Sequence, residues 1–539
     1  MSRRWFSSSV LALALIAAMA AAVVDLARQA PLNVLIVTME STRASDFTAE
    51  NLPKTFAAAE TGLRFTSHRT ISAWTAPNII ALLGGVSPYA QGVHARDQAL
   101  PADSRLPLED LAKAGWRVAG LQSFMAVGVF DHLGVGFEPG KNLLPWLAAL
   151  ARAQRPFVLW HHYLETHLPY APPESHRPVL DGLIARTDAA ARARIEAVMT
   201  QPVIPASSVA FKPSDRAAIR ALYLGNLRAF DDWFGNLWSF LERAGLLENT
   251  VVVLTADHGE ELLERGHVGH ASTTRAGHLY EEIVRVPLVL WAPKRLGIAV
   301  GVVERETHHP DIAATVMRLL GKTPSRPIDG RDLFAEGERA WDGMSSRAGY
   351  AEPDPARVTQ FVYARKEGRW KLHIDMAGDA VTRRALYDLD ADSGERTDVS
   401  AREVARAQRM EAAILAKRAI MRPPSMAQTH AAIPVERPIW IFPRQGAVLG
   451  YDDFGGRIRL EWRGVPDGAY VIAYEAGTGA QALSGELSVT GAVKDFGKIE
   501  RAYWNRFIVP YRNFRVRVGV AGRPDLWSEW LELEAQAAP

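Results

Sequence analysis

Val251-Val-Val-Leu-Thr-Ala-Asp257-His258-Gly259-Glu260 runs from an uncharged, β-branched segment straight into a carboxylate, an imidazole and a glycine. A strand that is apolar at consecutive positions is buried on both faces, the habit of a parallel sheet covered by helices. Its tip offers one hard oxygen and one nitrogen to a divalent cation, beside a glycine that lets other backbone come close. Outward from it, Asn33-Val-Leu-Ile-Val-Thr-Met39 repeats the pattern, and shorter apolar runs recur at Trp116–Leu121, Phe157–His161 and Val286–Trp291. Helix-like stretches such as Leu106–Ala114 and Arg216–Ala244 lie between them. The alternation predicts an α/β fold, a mostly parallel sheet sandwiched by helices, over residues 31–345.

Beyond it, short strands with turn signals over Phe361–Asp388 and helical spacing over Arg402–Met421 predict a small C-terminal subdomain, residues 346–425. After Pro423-Pro424 come alternating runs at Ile439–Ile441, Arg457–Trp462, Tyr470–Tyr474, Phe507–Val509, Phe514–Val518 and Trp530–Leu533. They predict a separate β-sandwich over 433–539. Its Trp440, Trp462, Trp504 and Trp530 read either as core or as a platform on which sugars stack.

The 539 residues carry 62 basic and 60 acidic side chains, and a net charge of +2 gives no field for wrapping nucleic acid. With no cysteine, thiolate nucleophiles, iron–sulfur clusters and disulfides are excluded, and any metal sits on oxygen and imidazole. Arg3 and Arg4 precede an apolar run from Val10 to Val24 with small residues at Ala18–Ala22. Residues 1–30 therefore read as a signal peptide or signal anchor, with a start like that of a twin-arginine leader. Either predicts export to the periplasm or cell envelope, the anchor adding membrane association through the N-terminus.

In an open parallel sheet, ligands bind at the carboxyl ends of the strands, which is where Glu40-Ser-Thr-Arg43 falls. In Ala73-Trp-Thr75-Ala-Pro77-Asn78, ahead of an apolar stretch ending at Gly84-Gly85, Thr75 is either a helix cap or a hydroxyl held at a helix N-terminus. There, free N–H groups favour an anion. Four of the 15 histidines, His258, His267, His270 and His278, fall within one short stretch. A further group, His161, His162 and His167, follows the Phe157 run; His161 or His162 suits the core, and His167, in a proline-bounded loop, suits a site.

Together these pieces resemble the sulfatase branch of the alkaline-phosphatase superfamily, from about Asn33 to Leu415. The motifs stand in family order: N-V-L-I-V-x-x-E-x-x-R at Asn33–Arg43, T-x-P with L-L-G-G at Thr75–Gly85, H-x-P-Y at His167–Tyr170, and the Asp231-x-x-x-Gly235 helix. D-H-G-E at Asp257–Glu260, L-Y-E-E-x-x-R-V-P-L at Leu279–Leu288 and the tail Ala385–Glu395 complete the set. The resemblance implies a sulfatase-like fold with one divalent metal (Mn, Mg, Zn or Ca) held by Glu40, Asp257, His258 and Thr75. It makes Thr75 the nucleophile, and His167 and His270 the residues that hold the anion or protonate the leaving group. His278, Arg43 and Asn78 are further candidates for substrate contact.

The departures matter equally. Sulfatases place Cys or Ser in C/S-x-P-S-R, for oxidation to formylglycine, where this chain has Thr75-Ala-Pro77-Asn78-Ile79. Glu, Thr, Asp and His resemble instead the one-metal sites of lipoteichoic-acid synthases and phosphoethanolamine transferases, where threonine becomes phosphorylated. The D-x-x-x-H of a second zinc site is missing near Asp231. The expected activity is metal-dependent hydrolysis or transfer of phosphate esters, the substrate an anionic ester, a lipid head group or an envelope glycan. Sulfuric ester hydrolysis is the alternative within the fold, and a non-catalytic anion-binding envelope protein the alternative of another class.

Overall fold

The computed structural model describes residues 31–422 apart from 95–97, 102, 123–132, 134–142, 154, 186–187, 202–203, 205–207, 271–277 and 347–359, and 437–537 apart from 452–455, 465–468, 478–482, 499–500, 502–503 and 521–522. The leader, the Pro423-Pro424 link and residues 433–436 of the expected sandwich lie outside the described residues. No helix among the described residues is long and apolar enough to cross a membrane.

The central sheet is built from β1 (Asn33–Met39), β2 (Leu63–Phe65), β3 (Arg117–Gln122), β4 (Phe157–Tyr163), β5 (Thr250–Ala256), β6 (Leu288–Trp291) and β7 (Gly301–Val303). Among the described residues they lie in the order β7-β2-β6-β5-β1-β4-β3. β5, β1, β4 and β3 run parallel, whereas β6 is antiparallel to both β5 and β2. The expected strand from Val286 thus starts two residues later, at Leu288, since Pro287 has no N–H for a ladder.

Alternation along β1 divides two cores. Val34 and Ile36 pack with α1 (Thr75–Gly84) and α3 (Pro310–Leu319), while Leu35, Val37 and Met39 pack with the long helix α2 (Arg216–Arg243). Helices therefore cover both faces, which is why these strands read as unbroken apolar runs. Gly85 closes α1 with φ of 69°, a conformation that favours glycine.

A four-stranded antiparallel sheet follows, in chain order, with the helix Val404–Ala419 burying Ala407, Met410 and Ile414 against it. Its first strand, Trp341–Ser346, begins ahead of the expected boundary at 346. Buried charges join it to the α/β body: Arg69 pairs with Glu281 (2.6 Å), and Lys371 reaches both Glu281 (2.8 Å) and Glu395 (3.2 Å).

In the C-terminal region a three-stranded and a six-stranded sheet share one core containing Trp462, Tyr470 and Trp504. Trp462 and Trp504 are thus core, and the sugar platform lapses for them. Phe507–Val509 is not a strand: Trp504–Ile508 is a wide helical turn continued by a tight one to Tyr511, and Pro510 cannot donate to a ladder.

Candidate active site

Strand register does the first part of the positioning. Met39 pairs with Tyr163 on one side and Ala256 on the other, so β4, β1 and β5 end level. Glu40 N donates to Tyr163 O (2.9 Å) and Asp257 N to Met39 O (3.2 Å), which brings two carboxylates out side by side at the carboxyl edge. The period of two that sends Val34 and Ile36 toward α1 also sends Glu40 there.

At the start of α1, the Thr75 hydroxyl lies 3.4 Å from each oxygen of Glu40 and 3.4 Å from His258 Nε2. Trp74, not Thr75, is the capping residue, so the hydroxyl is free of that duty and faces the carboxylate. His258 Nε2 also lies 3.2 Å from Glu40 Oε1 and 3.2 Å from Asp257 Oδ2. Asp257 is steadied by two backbone donors, Ser41 N (3.0 Å) and His258 N (2.8 Å), both to Oδ1. Gly259 is required: its N–H donates to Ile283 O at 2.6 Å, and a Cβ there would fall 1.9 Å from Glu282 O.

The two histidines expected to handle the anion complete the cluster. The His270 ring is 4.1 Å from that of His258 and 5.1 Å from that of His167. His167 Nδ1 donates to Leu168 O at 2.5 Å, leaving Nε2 as the acceptor. His270 Nδ1 meets Glu260 Oε1 at 3.0 Å, and Tyr170 donates to the other Glu260 oxygen at 2.9 Å.

His162, left open with His161 in the sequence, is drawn into the site: its Nε2 lies 2.9 Å from Glu40 Oε2. His161 goes to the opposite face and stacks on Trp233 at 4.8 Å. Parity with Trp160, two residues earlier and in the core that holds α1, is the signal that marks His162. Glu260, quoted within D-H-G-E but given no role, is the other residue the sequence did not single out.

Three expected substrate contacts are placed elsewhere. The Arg43 guanidinium is spent on Glu264, with two bonds of 2.9 Å, and on Glu260 O at 2.6 Å. Asn78 accepts from Ile71 N and Ser72 N and donates to Ser72 O and Trp74 O, using its whole amide to shape the turn before Thr75. His278 packs on Tyr280 (5.2 Å) and His267 (6.0 Å). Asp231 receives Lys54 N and Thr55 N, which fits it to start the helix Pro53–Ala59.

The donor set fits a cation. Two groups, Glu40 with His258 and His270, and Glu40 with His162 and Asp257, hold ligand atoms within 4.8 Å of one another. His258 Nδ1 donates to Gly259 O (2.8 Å), which turns Nε2 onto two carboxylates. Burial pushes Asp257 up to about 7, with Glu40 adding to it. Burial opposes charge on His258, yet Asp257 and Glu40 lift it to about 10. Burial likewise opposes charge on Glu40, and His162 and His258 hold its carboxyl well below the usual range. The carboxylates thus hold a positive charge at His258 Nε2, the charge that a divalent ion would supply in its place.

Residues 140–322 match the family model described as Sulfatase, a span that contains β4, His167, Asp257–Glu260 and His270. Over that span the chain is similar to sulfatases. Curated sulfatases are similar over part of their length: the choline-sulfatase of Rhizobium meliloti (strain 1021) is 30% identical over 187 residues, 34% of this chain and 33% of that one. PehA of Trinickia caryophylli, a multifunctional alkaline phosphatase superfamily protein, is 30% identical over 123 residues, 22% of this chain and 23% of that one. The matches thus span a third or less of those two relatives. In the sulfatase fold, the phosphonate monoester hydrolase of Agrobacterium radiobacter superposes with a TM-score of 0.56 at 20% identity, covering 74% of this chain and 98% of that one. A structure in complex with its substrate D-glucosamine-2-N,6-O-disulfate gives 0.57 at 16%, covering 72% and 98%.

Proposed function

We propose that this sulfatase-family chain is a metal-dependent phosphoesterase that works through a phosphothreonine at Thr75. The observation that carries the proposal is the Thr75 hydroxyl, first in α1 and 3.4 Å from both Glu40 oxygens and His258 Nε2, at a point where a phosphorylatable oxygen meets the donor set of a cation. Glu40, Asp257, His258 and Thr75 would hold a divalent ion, which when bound lowers the hydroxyl pKa and neutralises ester charge.

The chain's own groups supply the proton traffic. Burial holds His167 down to about 4 and His270 well below its usual value, so both rest neutral. One imidazole takes the Thr75 proton as Oγ1 attacks phosphorus; the Oγ1–P bond forms, the bond to the leaving alkoxide breaks, and that alkoxide receives the same proton. Glu260, below His270 Nδ1, orients the ring and balances its transient charge. Water then attacks phosphorus and returns Thr75 to its hydroxyl; an acceptor alcohol in its place gives transfer.

Threonine has no route to formylglycine, which favours phosphate over sulfate. The similarity to choline-sulfatase supports sulfuric ester hydrolysis as the second reading. The leader-like residues 1–30 support action in the periplasm or cell envelope. Parallel assays with an aryl phosphodiester, an aryl phosphomonoester and an aryl sulfate, on the wild type and Thr75→Ala, test the proposal. It expects phosphoester turnover that Thr75→Ala abolishes; ester binding without turnover in both proteins would instead mark a non-catalytic anion binder.

A further inference from the structure

Glu40 is flanked symmetrically by two buried imidazoles. Oε1 lies 3.2 Å from His258 Nε2, and Oε2 lies 2.9 Å from His162 Nε2. Both rings use Nδ1 on a fixed partner on the side away from Glu40: His258 on Gly259 O at 2.8 Å, and His162 on the Thr38 hydroxyl at 2.8 Å.

Thr38 anchors the outer edge of the His162 ring. Trp160 Nε1 donates to Thr38 Oγ1 at 2.9 Å, and that oxygen has His161 O as its own acceptor at 3.4 Å. Thr38 in turn meets His162 Nδ1 at 2.8 Å, so the ring is held by its outer nitrogen in either tautomer. His162 Nε2 faces Glu40 Oε2 at 2.9 Å, across a gap that a proton on Nε2 closes and that a cation ligated by both atoms closes equally. The outer N–H of a metal-bound histidine is characteristically fixed by such a hydrogen bond. The ligand atoms of His162, Glu40 and Asp257 come within 4.8 Å of one another, near enough to share one ion.

We infer that His162 is a second nitrogen ligand of the ion held by Glu40, Asp257, His258 and Thr75, and that the site therefore selects a transition-type ion such as zinc or cobalt over calcium or magnesium. Imidazole nitrogen adds affinity for the former, whereas the hard ions gain little from it. The inference rests on the cluster being a metal centre and is independent of which ester is cleaved.

The test uses the full chain, stripped with a chelator and reloaded with one equivalent of zinc or calcium. X-ray absorption counts imidazoles around zinc, and calorimetry gives affinity for each ion. Two imidazoles are expected in the wild type, one in His162→Gln and two in His270→Gln, with zinc affinity falling roughly 10- to 100-fold in His162→Gln and calcium affinity nearly unmoved. One imidazole in the wild type, or loss of the second in His270→Gln rather than His162→Gln, overturns the inference even if His162→Gln fails to fold. Failure of the wild type to bind either ion would sink the metal-centre reading itself.

Discussion

The Thr75 hydroxyl sits 3.4 Å from each carboxylate oxygen of Glu40, although 35 positions separate the two residues. The relationship is made by two independent devices: strand parity, which aims Glu40 at α1, and the Asn78 amide, which folds Ile71–Trp74 so that α1 starts at Thr75. If that hydroxyl is the nucleophile, Thr75→Ala loses on the order of 10³-fold or more in kcat for a phosphodiester while Thr75→Ser keeps measurable turnover. Steady-state kinetics on both variants checks this, and equal loss in the two would count against nucleophilic attack.

Gly259→Ala places a Cβ where only 1.9 Å separates it from Glu282 O. The D-H-G-E turn or the Glu281–Val284 segment must then shift, and a stability loss of about 3 kcal/mol or more is expected. Thermal unfolding reads this directly; an unchanged Tm would show that the turn yields freely.

Arg43→Lys keeps the charge and loses the forked contact to Glu264 and the bond to Glu260 O. The variant is expected to lower Tm, with KM for the ester nearly unchanged, because the guanidinium holds the D-H-G-E segment and not the substrate. A large KM effect at constant Tm would restore Arg43 as a substrate contact.

Burial pushes the Glu261 carboxyl up to about 7 from 4.5, with Arg265 pulling the other way. A raised folded pKa means that the folded state holds this proton more tightly than the unfolded chain. The stability it brings is full below about pH 4.5 and is lost as pH rises through 7. Glu261→Gln is therefore expected to flatten the fall of Tm between these values, measured on chelated protein; a parallel slope in variant and wild type would contradict it.

The α/β core was legible because β1, β4 and β5 are buried on both faces and so spell unbroken apolar runs. The short strands β2 and β7 were not, since three residues carry no periodicity. Glu40, Asp257 and His258 were legible as strand-end residues, but their meeting depends on register, which no local pattern states. Arg43 and Asn78 sat in the right motifs and still turned out to hold the scaffold, because their partners, Glu264 far along the chain and the backbone before Thr75, are fixed only by the fold. His162 stayed open beside His161 for want of a face: parity with Trp160 separates the two only once α1 is known to lie on that side.

The central claim is a covalent phosphothreonine, and intact mass of the full chain after brief incubation with a chromogenic phosphodiester, with and without EDTA, tests it most directly. A metal-dependent gain of one substituted phosphoryl group that maps to Thr75 is the predicted result. Turnover of a matching aryl sulfate with no phosphoryl adduct on Thr75 would contradict it.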